Sequence, residues 1–122
     1  MRNIIKLFCV CLIAAMGCRS AAPAEGLLAP DSMKVIMWDM MKADELYLRI
    51  SAKDTTAARR KENIRLYEQV FAVHKITKKQ FDSSYHFYAT HPDQFKLLLD
   101  SLDVYALRQR TKQFEKKYSA PK

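Results

Sequence analysis

Residues 31–50 read DSMKVIMWDMMKADELYLRI. Met33, Ile36, Met37, Met40, Ala43, Tyr47 and Ile50 recur at steps of three and four, the spacing that lines one face of an α-helix. Asp31 or Ser32, just after Pro30, supplies an N-cap, so a first helix is expected to run to about Ile50. Glu45 and Arg49 stand four apart in the order that favours a surface ion pair.

The same period continues downstream. Asp54, Thr55 and Thr56 offer caps for a second helix, whose stripe is Ile64, Tyr67, Val70, Phe71 and His74 and whose end falls near Lys75. Thr77-Lys78-Lys79-Gln80 has capping-box spacing and opens a short third helix with Phe81, Ser84, Tyr85 and Tyr88 on one face. His91-Pro92-Asp93 resets the chain, because proline suits the first helical position and an acid suits the positive dipole end beside it. Phe95, Leu98, Leu99, Leu102, Tyr105 and Ala106 carry the stripe of a fourth helix, and beyond Leu107 the pattern thins to Phe114 and Tyr118 among charges. Neither an alternating β-pattern nor an internal repeat is visible. The expected fold is therefore all-α, a small bundle of three to four helices.

Composition bounds the function. The chain has 122 residues, 49% hydrophobic and 28% charged, which is globular rather than disordered and has room for one modest core. It holds 2 glycines, and Gly26 is the one outside the first 17 residues. P-loops, dinucleotide fingerprints and nucleophile elbows all need glycine where backbones approach closely, and they are excluded.

The N-terminus reads as an address. Arg2 and Lys6 precede Leu7 to Met16 (LFCVCLIAAM), an uncharged run too short to span a bilayer and of the length of a signal-peptide core. Ala15-Met16-Gly17-Cys18 resembles the lipobox of bacterial lipoproteins, with Ala15 where that motif most often has Leu. The resemblance implies cleavage before Cys18 and acylation of its sulfur and new amine, so that membrane lipid is held through Cys18. Cys9 and Cys11 leave with the leader, which precludes an intramolecular disulfide in the remaining chain. Two or three acyl chains suffice for stable membrane residence at about 0.8 kcal/mol per buried CH₂. Arg19 to Pro30 (RSAAPAEGLLAP) has no periodicity and reads as a short tether. The expected organisation is a leader over 1–17, a lipidated terminus and tether over 18–30, a helical domain over 31–118 and a disordered tail over 119–122.

Ile36 to Asp44 (IMWDMMKAD), Tyr67 to Thr77 (YEQVFAVHKIT), Phe81 to Tyr88 (FDSSYHFY) and His91-Pro92 together resemble the domain of unknown function 4296 family of Bacteroidetes lipoproteins. The resemblance covers roughly Leu27 to Leu102. It implies an exported, lipid-anchored, all-helical domain and brings no catalytic residue, cofactor or ligand. Surface-directed lipoproteins of that group commonly carry an acidic cluster after the cysteine; here Arg19 follows it and Glu25 is the first acid, which favours the periplasmic face of the outer membrane.

Candidate chemistry is sparse. Zinc needs three or four ligands converging at about 2 Å, and none of His74, His86 and His91 forms a pair at i, i+4. Asp39 and Asp44, five apart, do not share a helix face as a general-acid pair would, and both are expected to be solvated beside Lys42 and Arg49. Ser83 and Ser84 lack a neighbouring base; Ser84 reads as a small residue permitting close helix approach. No catalytic constellation and no cofactor is expected. Phe81, Tyr85 and Tyr88 have core spacing, so the aromatics beside Lys78 and Lys79 do not suggest nucleic-acid binding. Trp38 and Phe87 lie off the core stripes and are candidate anchors for a protein partner.

The net charge of +8 includes Arg2 and Lys6 of the leader. Arg108, Arg110, Lys112, Lys116 and Lys117 crowd the last stretch, where Glu115 is the one acid, and form a candidate surface for anionic head groups. The expected role is a lipid-anchored, periplasm-facing binding or scaffold domain with an envelope protein partner. Its alternatives are a membrane-surface module and a histidine-based metal-dependent protein.

Overall fold

A computed structural model describes residues 26–119; the expected leader, Cys18, most of the expected tether and the last three residues lie outside them. Among the described residues there are four helices and no strand: α1 (Pro30–Lys53), α2 (Glu62–His74), α3 (Lys78–Ala89) and α4 (Pro92–Tyr118). The chain is all-α, as its periodicity predicts.

Helix starts follow local chemistry. Thr77 caps α3, its hydroxyl accepting from the Gln80 N–H at 3.1 Å. Pro92 opens α4 behind His91, with Asp93 in the first turn. The first helix departs from expectation: its N-cap is Ala29, without a side-chain bond, and Pro30 is the first residue. Asp31 instead sits in the first turn and pairs with Lys34 at 2.5 Å. Asp54 also does another job than opening α2. It accepts from the Thr56 N–H and hydroxyl and pairs with Arg60, organising the 54–61 turns, and α2 begins eight residues later.

Scarcity of glycine shows in the turns. Lys61 and Lys75 both adopt the left-handed conformation, at φ 53° and 54°. At Lys75 the pattern closes α2: the Lys75 N–H donates to Ala72 and the Ile76 N–H to Phe71, the two bonds that commonly end a helix at a glycine.

Helix α1 packs against α2 and α4, and α4 packs against α3. The main core gathers Leu28, Met33, Ile36, Tyr88 and Leu98, with Met37, Met40, Val70, Ile76, Phe81, Phe87 and Phe95 packed around it. A second cluster joins Trp38 to Leu102 and Ala106. Trp38 is therefore core, 7% exposed, with its ring edge-on to Tyr105 and under the Arg110 guanidinium at 5.7 Å. Phe87 likewise turns inward against the main core and Tyr88. Neither is the exposed anchor expected, because α4 lies along α1 and α3 and covers both.

Three expected stripe residues also lie outside the core. Ile64 is half exposed while Leu66 is buried, and Tyr85 and Leu99 lie at the rim rather than inside. Tyr85 remains useful there, bridging Phe81 and Phe95 ring to ring.

The end of the expected tether is held. Leu28 is buried; its N–H donates to the Ser84 hydroxyl at 2.9 Å and its carbonyl accepts from the Tyr88 hydroxyl at 2.9 Å. The Ser84 hydroxyl in turn donates to the Gln80 carbonyl at 2.7 Å. Ser84 thus supplies a hydrogen bond to an incoming strand of chain as well as being small. Burial also pushes the Tyr88 phenol pKa up.

Candidate functional site

An open groove of about 550 Å³ runs between α1 and α2. Ala43 and Leu46 of α1 face Leu66, Val70 and Val73 of α2 across its floor, and Gln113 of α4 closes one side. Asp39, Lys42, Glu45, Arg49 and Gln69 form the rim. The floor is apolar and partly bare: Val73 is 75% exposed and Leu46 47%.

The groove exists because α1 and α2 are clamped at two points by polar contacts that leave the apolar residues beside them uncovered. Asp39 meets the His74 imidazole at 2.8 Å, Oδ2 to Nε2. One and a half turns on, Asp44 accepts from the Tyr67 hydroxyl. The Asp44 carboxylate, bonded to the neutral phenol and repelling its ionised form, pushes the Tyr67 pKa up to about 12, with burial adding to it. Asp44 is exposed as expected and Asp39 partly so, but their partners are Tyr67 and His74 rather than Lys42 and Arg49. Each reaches across to α2, and Arg49 pairs with Glu45 at 2.5 Å as its spacing predicts.

The three histidines are dispersed in role. His74 is the helix-end residue bonded to Asp39, His91 stacks on Phe87 and bonds the Phe87 carbonyl through Nδ1 at 2.6 Å, and His86 is exposed. Among the described residues no three His, Cys, Asp or Glu side chains converge as a metal would require.

The basic stretch is a helix rather than a frayed end. It forms the last turns of α4, and Arg108, Lys112, Lys116 and Lys117 stand in solvent, while Arg110 leans on Trp38. None of the described helices is long and apolar enough to cross a membrane.

Two features have weaker signals in the sequence. Leu66 as a groove wall has no signal beyond its being apolar. A second apolar row on α4, at Leu97, Val104, Leu107, Phe114 and Tyr118, is spaced by sevens and threes or fours and was legible; it was masked by the stronger stripe on the other face.

A family model described as Domain of unknown function (DUF4296) matches residues 24–113, most of the chain. No curated protein and no solved structure matches it.

Proposed function

This chain belongs to the DUF4296 family, and from that premise we propose that it is a lipid-anchored envelope module, facing the periplasm, that works by holding another protein rather than by catalysis. The groove between α1 and α2 carries the reading. Its floor of Ala43, Leu46, Leu66, Val70 and Val73 is apolar, and its rim alternates Asp39, Lys42, Glu45 and Arg49. Such a surface suits an amphipathic segment of a partner, whose apolar side chains would cover Leu46 and Val73 and whose charges would meet the mixed rim. The anchor would be Cys18, held close to the domain because Leu28 is pinned to α3 ten residues later.

The test has two parts. Intact mass of the protein extracted from its own membranes should equal residues 18–122 plus a diacylglyceryl group and an N-acyl chain; a mass retaining Met1 to Gly17, or lacking lipid, defeats the anchor. A photo-crosslinker at Val73 should capture one envelope protein in cells, and Leu46→Asp should abolish that product while the same crosslinker at exposed Lys79 gives none. Equal capture from both sites, or from neither, defeats the groove.

A further inference from the structure

We propose that α4 binds a second copy of this chain, antiparallel, along the face turned away from the core. The helix is two-sided. Leu98, Leu102 and Ala106 are buried, whereas Leu97, Val104, Leu107, Phe114 and Tyr118 project from roughly the opposite side and are 52–69% exposed. The outer row has the heptad spacing of a coiled-coil seam, with polar Asp100 and Thr111 at the two remaining positions.

The charge distribution selects the occupant. The first half of α4 carries Asp93, Asp100 and Asp103 against Lys96, and the second carries Arg108, Arg110, Lys112, Lys116 and Lys117 against Glu115. One helix thus offers an acidic half and a basic half along a single apolar row. Its own antiparallel copy is complementary to it. Setting Val104 opposite Leu107 of the second copy places Leu97 opposite Phe114, apolar on apolar, and Asp100 opposite Thr111, polar on polar, with Tyr118 opposite Asp93 at the outer ends, each layer occurring twice by two-fold symmetry. Asp103 then flanks Arg110 of the other copy. The like-charged Lys96 and Lys117 meet at the outer ends, where solvent screens them and Asp100 already binds Lys96 at 2.7 Å. Parallel pairing fails on the same residues, since it sets Asp100 beside Asp100 and joins the two basic halves. An anionic bilayer is the poorer occupant, because Asp100 interrupts the apolar row and Asp103 borders it.

This surface is separate from the α1–α2 groove, and its test does not depend on it. Two differently tagged full-length versions, Leu97→Cys and Phe114→Cys, are expressed together in cells and oxidised, with the unsubstituted chain as blank. The expected product is a mixed disulfide dimer, with neither version linking to itself, because residues 97 and 114 lie about 26 Å apart along the helix and antiparallel pairing sets like residues at opposite ends. Self-linked dimers of each version alone would mean parallel pairing, and disulfides only to another protein, or none at all, would mean a different occupant; each overturns the proposal. In sedimentation of the purified full-length protein, Val104→Asp should weaken self-association at least tenfold with helical content unchanged. Asp103→Arg should weaken it roughly tenfold. An undiminished dimer in Val104→Asp also overturns it, as does a monomer that gathers only on anionic vesicles.

Discussion

The two ends of this bundle are built from similar residues and finished differently. At the closed end, Leu28 crosses over the start of α1, and Met33, Ile36, Tyr88 and Leu98 are at most 1% exposed. At the open end, α1 and α2 hold Leu46 and Val73 beside water, clamped by Asp39–His74 and Asp44–Tyr67. The difference is a third layer. The closed end gathers Tyr88 of α3, Leu98 of α4 and Leu28 of the incoming segment onto Met33 and Ile36 of α1, while the open end has two helices and the side of α4. A helix pair alone cannot cover its apolar floor, and the uncovered remainder is the groove.

The largest expected effect breaks this contrast at its strong side. Leu98→Ala should destabilise by about 3 kcal/mol, through lost burial and the cavity it leaves. Val73→Ala, at the bare floor of the open end, should stay within about 0.5 kcal/mol. Denaturant titration of both variants checks the pair, and similar losses would mean the groove is closed in solution.

Ser84→Ala should come next, at about 1–2 kcal/mol, because it leaves the Leu28 N–H buried and unbonded. Hydrogen exchange at the Leu28 amide should quicken in step.

At the open end, spectrophotometric titration should find one tyrosine ionising near pH 12, absent in Tyr67→Phe. A raised folded pKa stabilises fully below the unfolded value of 10.0, and that stabilisation is lost as pH rises through about 12. The Asp44–Tyr67 clamp should therefore weaken between those pH values.

Smaller still, Lys75→Gly should stabilise by about 0.5 kcal/mol by relieving the left-handed lysine. Thermal unfolding would record it as a raised Tm.

The slightest effect lies in the turn beyond the groove. Hydrogen bonds from Thr56 and Arg60 lower the Asp54 pKa, and Arg65 lowers that of Glu62. Depressed carboxylate pKa values stabilise above the unfolded values of 3.8 and 4.5, and the gain is lost as pH falls through the lower folded ones. The Asp54 carboxylate keeps access to solvent, so Asp54→Asn should narrow acid stability only slightly, below about pH 4.

Helices, their number and most of their boundaries were legible because the causes are local. Thr77 and Gln80, or His91, Pro92 and Asp93, satisfy or forgo backbone bonds within one turn, whatever lies elsewhere. Asp54 misled because its short side chain serves a turn as well as a helix start. The site was less legible. Asp39 and Asp44 look like solvated charges until α2 brings His74 and Tyr67 to them.

What the sequence determined by itself was that the chain is helical, which of its segments are helices, and that each has an apolar stripe. Tertiary structure decided which part of each stripe is covered. Trp38 and Phe87 went inside, Ile64 and Tyr85 stayed at the rim, and Leu28, expected in a tether, lies in the core. Periodicity fixes the direction of a face, but burial depends on where a neighbouring helix crosses it. That crossing is set by contacts such as Ser84 to Leu28, 56 residues apart, which no local window contains.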